Sequence, residues 1–426
     1  MKQHYFILLA LIMPITCLVS CRQQGKQTDA QEAVKQATQV SERPRPYSDS
    51  IPQQPINGTI VFDISHSTRG YLDSNSSEFR GVVAKMSNIL NVQEEFLYGD
   101  SAQSINADKF IETLNSGKFA WSKGSDFISM VEFMTKRVRS GNDIVCLISD
   151  GIMSGTNEQI RQDPEYNIRN REVLKTTLES KLKVLDTTYS TLIIRYTSPF
   201  KGTYYCYNNK NIFLNCNRPY YAIVIGKWSK VKWLEQDLIK GKANGKTDSF
   251  YKYTEMLMVG DNISYNKCKF ACGAGVEKIS KEKCQVKNKD SVEFRCSIND
   301  LPEYMQTETY INDNLCLLKQ GEGRTEFSVI PKEKYNLTIN NKKQKILISF
   351  GQNIGTYISH NKLRFLIKYA SPNWITRYSD LDDKEIEKNK LKQDQTFNLN
   401  YFIEGFNVLN HTDYVIQTDM DFIPKK

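Results

Sequence analysis

Two short segments of this chain carry oxygen-bearing side chains in a pattern that suits chemistry. The first is Phe62-Asp63-Ile64-Ser65-His66-Ser67, and the second is Leu147-Ile148-Ser149-Asp150-Gly151. They read D-x-S-x-S and D-G, and each directly follows an apolar run. Carboxylate and hydroxyl oxygens are hard donors, so the pair suits a hard divalent cation better than a soft one. A third segment, Gly124-Ser125-Asp126, stands before an apolar helical stripe that opens at Phe127.

Positioning these donors requires buried strands that end at Asp63 and Asp150. The run 58–62 reads as a short apolar strand. IVCLIS, TLIIRY and YAIVIG read as continuous apolar strands, the pattern of strands covered on both faces. Helical spacing separates them. It shows in Phe79, Val82, Val83 and Met86, then in Phe127, Val131, Met134 and Val138, then in Leu174, Leu178, Leu182 and Leu185. Strands alternating with helices predict an α/β domain over 56–245, with a doubly wound, mainly parallel sheet. In such sheets a ligand site forms beyond the carboxyl ends of the strands. Asp63 and Asp150 stand at such ends.

From 246 to 426 the texture changes. Short alternating runs at 292–298, 326–330, 335–339, 345–350, 364–369, 397–402 and 414–418 predict a β-rich, sandwich-like region with a candidate break near 335. The segment 202–219, with Tyr204-Tyr205-Cys206-Tyr207 and Cys216, reads as a hairpin inserted into the α/β domain. Its tyrosines serve either as a contact surface for a partner or as a lobe packed inside the protein.

The first twenty residues read as a signal segment. Lys2 supplies positive charge, residues 6–19 are apolar, and the stretch ends in Leu18-Val19-Ser20-Cys21. That ending resembles a bacterial lipobox, which implies cleavage before Cys21 and a lipid on it. Residues 21–55 are rich in Gln, Ser, Thr and Pro and bury no core, so they read as a disordered tether. The expectation is a protein held to a bacterial membrane by lipid, in the cell envelope, with the periplasmic face favoured over the cell surface.

The net charge of +9 comes from scattered lysines, not from basic blocks with interleaved aromatics. Nucleic-acid binding is therefore not expected. Four histidines lie far apart, and no G-x-S-x-G elbow or phosphate-cradling glycine loop is present. The chain reads as a binding protein rather than an enzyme. Ten cysteines in an exported protein favour disulfides. Cys206 and Cys216 are expected to pair. Cys268, Cys272, Cys284, Cys296 and Cys316 crowd the start of the β-rich region with no pairing readable, and Cys268-x-x-x-Cys272 leaves a zinc site open.

With these residues in view, 56–245 resembles a von Willebrand factor A domain. Asp63, Ser65 and Ser67 match that family's D-x-S-x-S loop, and Asp150-Gly151 matches its later aspartate–glycine loop. Ser125 stands where the family carries a threonine. The resemblance implies a metal-ion-dependent adhesion site. In it Ser65, Ser67 and Ser125 give hydroxyl ligands, and Asp63 and Asp150 bind directly or through water. The cation is Mg²⁺, or Mn²⁺ or Ca²⁺. It implies capture of a protein partner through an acidic residue. The alternative is a metal-independent structural component of an envelope assembly, and an envelope hydrolase ranks below both.

Overall fold

The computed structural model describes residues 56–423, apart from 75, 124–125, 209, 261–267, 281–282, 288–291, 299–300, 322, 341–344, 351–360 and 411–412. The signal segment, Cys21 and the tether expected over 21–55 lie outside the described residues, as do Ser125, His360 and His411. The chain forms two compact units. One comprises Pro46–Ser264 and Ala370–Asp413; the other comprises Tyr265–Tyr369 and Tyr414–Lys426.

The first unit is built on a seven-stranded mixed sheet in the order β3-β2-β1-β4-β6-β5-β7. The strands are β1 (Gly58–Asp63), β2 (Val92–Tyr98), β3 (Ala102–Ile105), β4 (Ile144–Ser149), β5 (Tyr189–Tyr205), β6 (Asn211–Lys227) and β7 (Glu255–Val259). Every residue of β1 and β4 is buried, the polar Thr59, Asp63 and Ser149 with the apolar ones between them. Ile60, Phe62, Cys146 and Ile148 share a core with Phe79, Val83 and Met86 of helix α2 (Ser77–Ile89), which follows the short helix α1 (His66–Asp73). Helix α3 (Ala107–Ser116) adds Phe110 and Leu114 to the same core. The alternate residues Val61, Val145 and Leu147 are equally buried. On that side α4 (Phe127–Arg139) packs on β4 and β6, and α5 (Arg171–Leu182) packs on α4. Helix α6 (Trp228–Ala243) closes the first core through Val231, Leu234 and Leu238.

The expected α/β region with helices on a buried sheet is present, but the sheet is not mainly parallel. Only β1–β2 and β1–β4 are parallel. The pairs β2–β3, β4–β6, β5–β6 and β5–β7 are antiparallel. The reason lies in the connection after Tyr205. Strands β5 and β6 run for 17 residues each and pair along their whole length, from Tyr189↔Lys227 to Tyr205↔Asn211. A five-residue turn cannot carry a parallel crossover. The segment 202–219 is therefore no insert. It is the far end of two core strands, extended well past the five or six residues usual for a strand.

That register also overturns the expected Cys206–Cys216 bridge. Cys216 stands opposite Phe200, six positions before Cys206. Six residues of strand span about 20 Å, far beyond what a disulfide tolerates. Both are free thiols. The tyrosines of the hairpin are divided. Tyr204 and Tyr207 are buried, with Asp383 accepting from the Tyr204 hydroxyl at 2.8 Å and from the Tyr207 N–H at 3.1 Å. They hold residues 370–413 rather than facing solvent.

The second unit is mainly β. Its strands are β8 (Phe270–Cys272), β9 (Val276–Lys278), β10 (Lys283–Val286), β11 (Val292–Ser297), β12 (Leu315–Gln320), β13 (Ser328–Val329), β14 (Tyr335–Asn340), β15 (Lys345–Phe350) and β16 (Lys362–Lys368). After β16 the chain supplies residues 370–413 to the first unit. There a two-residue ladder joins β17 (Ser379–Asp380) to β18 (Thr396–Phe397), and helix α7 (Leu399–Phe406) follows. The alternating run at 397–402 is thus not a strand. Leu399, Phe402, Ile403 and Phe406 are all buried, and their spacing is helical. Phe402 packs edge-on against Phe127 of α4, with ring centroids 4.8 Å apart.

Strand β19 (Tyr414–Ile423) returns to the second unit and lies between β16 and β10. The two sheets there run β14-β15-β11-β8 and β13-β12-β16-β19-β10-β9. Phe270 and Phe294 of the first meet Phe365 and Phe422 of the second, with ring separations of 4.8 Å for Phe270–Phe365 and 4.9 Å for Phe294–Phe365. No helix among the described residues is long and apolar enough to cross a membrane.

Candidate functional site

Strands β1 and β4 are parallel neighbours, and Phe62 pairs with Ile148. Their carboxyl ends therefore deliver Asp63 and Ser149 at the same level, with Asp150 one residue beyond. The backbone after β1 is pinned on both sides. Ile64 N–H donates to the Tyr98 carbonyl at 3.0 Å, and Ser65 forms a parallel bridge to Ser122. His66 N–H and Ser122 N–H complete that bridge at 3.0 and 2.8 Å. The D-x-S-x-S loop is thus fixed before α1 begins.

Asp63, Ser65, Ser67, Ser149 and Asp150 line one cavity of about 560 Å³. Asp63 is 1% exposed, Ser65 3% and Asp150 7%. Asp63 Oδ1 accepts from the Ser65 N–H at 2.9 Å, and its Oδ2 accepts from the Ser149 hydroxyl at 2.9 Å. The Ser65 hydroxyl lies 2.9 Å from both the Ser67 and the Thr68 hydroxyls. Asp150 Oδ1 accepts from the Ile152 N–H at 3.2 Å. Gly151 has φ +72°, and a Cβ there would lie 2.4 Å from the Tyr221 ring. Glycine after the aspartate is therefore a steric requirement.

Burial raises both acids above their ordinary range. Asp63 is pushed up to about 6, first by desolvation and then by the negative charge of Asp150. Asp150 is also raised, again chiefly by desolvation, while Ser67 and the Ile152 N–H pull it back. The Arg218 guanidinium opposes the rise as well. It is 2% exposed and donates to the Gln393 carbonyl at 2.7 Å and the Gln395 carbonyl at 3.0 Å.

The donors fit a hard cation in kind. Two neighbouring carboxylates resist ionising together, and a cation between them relieves that repulsion. The Asp63 oxygens accept from the Ser65 N–H and the Ser149 hydroxyl, and a carboxylate offers about four lone-pair sites in all. Among the described residues no group of three or more His, Cys, Asp or Glu side chains is placed to hold a metal. A cation here depends on hydroxyls and water beside the two carboxylates. The cysteines likewise form no zinc-binding group among the described residues.

Four of the five residues singled out in the sequence therefore come together: Asp63, Ser65, Ser67 and Asp150. Ser125 lies outside the described residues, but its neighbours Lys123 and Asp126 line the same cavity. Asp126 Oδ1 caps α4 by accepting from the Ile128 N–H at 3.0 Å, and Oδ2 accepts from the Ser129 hydroxyl at 2.7 Å. Sequence reasoning passed over Ser149 and Arg218. Ser149 was readable, because it is the polar residue that ends the apolar strand before Asp150. Arg218 carried no signal, since its role depends on the β5–β6 register. Compared with known protein families and with curated protein sequences, the chain matches none.

Proposed function

We propose that this protein is a binding protein of the bacterial cell envelope, tethered by a lipid on Cys21. In this reading the first unit is a doubly wound, von Willebrand factor A-like domain. It holds Mg²⁺ or a similar cation on Asp63, Ser65, Ser67 and Asp150, with Ser125 as a further ligand. A protein partner completes the coordination sphere with an acidic side chain. The second unit is a sandwich-like spacer or assembly surface. The observation that carries the reading is the convergence of those four side chains at the carboxyl ends of two adjacent parallel strands. The raised acids support it, because a buried pair of carboxylates has its strongest partner in a cation.

A second reading has one observation in its favour. The Ser149 hydroxyl already bonds Asp63, and the Ser65 N–H bonds its other oxygen. A site satisfied internally suits a metal-independent structural component of an envelope assembly. Pull-down with the full-length protein from envelope extract separates the two. Capture that needs Mg²⁺, stops with chelator and is lost in Asp63→Ala supports the adhesion site. Capture indifferent to chelator and to Asp63→Ala favours the structural component.

A further inference from the structure

The second unit places two cysteines against each other from different sheets. Cys272 ends β8, at the edge of the four-stranded sheet, and stands opposite Phe294. Cys284 lies in β10 of the six-stranded sheet, opposite Phe422 on one side and Lys278 on the other. Their Sγ atoms are 3.0 Å apart. That is about 1 Å more than a disulfide bond, so bridging them needs side-chain adjustment rather than backbone movement. Gly273 N–H donates to the Glu293 carbonyl at 2.7 Å, and the Lys287 N–H donates to the Gly275 carbonyl at 2.9 Å.

We propose that Cys272 and Cys284 are a redox-active pair that closes into a disulfide and staples the two sheets of this unit. The two thiols differ in the way a nucleophile and a resolving partner should. Cys272 is partly exposed and Cys284 is buried. Hydrogen bonding from Cys284 lowers the Cys272 thiol to about 7, whereas the Cys284 thiol is raised, first by that same contact. A thiolate near neutrality is the attacking species in disulfide exchange.

The oxidant is a disulfide, either of a thiol–disulfide oxidoreductase or of a small thiol such as glutathione. The Cys272 thiolate attacks one sulfur of that disulfide. A mixed disulfide forms and the first oxidant thiolate leaves. Cys284 gives up its proton to solvent and attacks the Cys272 sulfur, and the second oxidant thiolate leaves. Two electrons pass from the cysteines to the oxidant, which ends as two thiols. The other neighbouring thiols differ in access. Cys268 and Cys296 are both buried. Cys316 is partly exposed in β12, which two strands, β16 and β19, separate from β10.

The test uses the folded full-length chain. It is reduced, freed of reductant, exposed to oxidised glutathione at neutral pH, quenched in acid, alkylated and cut with trypsin. Cleavage after Lys269, Lys278, Lys283 and Lys287 puts the two cysteines on separate peptides. The expected product joins 270–278 to 284–287, lighter than their sum by two hydrogens. In Cys284→Ser the resolving thiol is gone, so Cys272 should retain glutathione as a stable mixed disulfide. Reductant should lower the melting temperature of the oxidised wild type by several degrees. It should leave the Cys272→Ser/Cys284→Ser double variant unmoved. Recovery of both cysteines alkylated after oxidation overturns the proposal, as does linkage of Cys272 to any other cysteine. A wild-type protein that stops at the Cys272–glutathione adduct overturns it too.

Discussion

The Ser149 hydroxyl donates to Asp63 Oδ2 at 2.9 Å across the parallel strands β1 and β4. The bond ties together the ends of the two strands that build the candidate site, and it stabilises the ionised form of a buried acid. Ser149→Ala leaves that carboxylate with one donor fewer. The expected cost is about 1–3 kcal/mol where Asp63 is ionised, and less where it is protonated. Urea unfolding above and below pH 6 in chelator reads the difference. Equal costs on both sides would show that the hydroxyl does not act through the charge.

Asp63 predicts a pH dependence of its own. Its folded pKa, about 6, lies above the ordinary 3.8, so the folded state holds the proton more tightly than the unfolded state. Below about pH 4 the acid is protonated in both states and its contribution to stability is fully present. As pH rises through 6 that contribution is lost, by roughly 2–3 kcal/mol. Asp63→Asn removes the titration. In chelator, the stability of wild type relative to Asp63→Asn should therefore fall between pH 4 and pH 7. Parallel curves would contradict the burial argument.

Cation binding should reverse that loss. A ligand that binds only the folded state adds about 2.7 kcal/mol at a hundredfold excess over its dissociation constant. Mg²⁺ or Mn²⁺ should raise the melting temperature, more so above pH 6, where the metal no longer competes with a proton on Asp63. Asp63→Ala should abolish the rise. Asp126→Ala is the control: it removes the cap of α4 at a cost of about 1 kcal/mol and keeps the metal response. A melting temperature indifferent to both cations would remove the metal from the proposed function.

Arg195 is 1% exposed and bonds Thr254 at 2.8 Å and both the carbonyl and the carboxylate of Asp394, at 2.7 and 2.6 Å. Its guanidinium lies 3.8 Å from the centroid of the Tyr378 ring. Arg195→Met should cost about 3–5 kcal/mol, the range for breaking a buried ionic network. Asp394→Asn should cost under about 1 kcal/mol, because Asp394 is half exposed and its carbonyl still accepts. Chemical denaturation of both variants distinguishes a network anchored by backbone from one that depends on the ion pair.

Gly151→Ala combines a left-handed backbone with a collision on Tyr221. It should lower stability by about 1–3 kcal/mol, and trimming the Tyr221 ring should relieve only the steric part. A thermal melt unchanged in Gly151→Ala would mean that the loop has another conformation within easy reach.

The parts legible in the sequence were those set by local pattern. The apolar runs around Val61 and Leu147 read as buried strands and are buried strands, ending at the polar Asp63 and Ser149. The runs at 292–298, 335–339 and 345–350 became strands for the same reason. Strand direction was not legible. Nothing in YAIVIG says whether β6 runs with or against its neighbours; the short turn between Tyr205 and Asn211 sets it against β5. The stretch from Phe397 to Phe402 alternates like a strand over six residues. Only the continuation through Ile403 and Phe406 reveals a helix. Arg218 and Arg195 were invisible as structural cations because the carbonyls and the carboxylate they bond in residues 393–395 lie far along the chain.

The return of residues 370–413 to the first unit has a consequence for biogenesis. The bonds from Arg195 to Asp394, from Arg218 to Gln393 and from Tyr204 and Tyr207 to Asp383 form only after residues 383–395 have emerged. The second unit waits longer still, because β19 is an inner strand of its larger sheet. Neither unit can finish before its late segments, residues 383–395 for the first and Tyr414–Ile423 for the second, have been made. A chain stopped just before Tyr414 therefore leaves β16 and β10 without the strand between them, and quality-control proteases should recognise that product over the full-length protein.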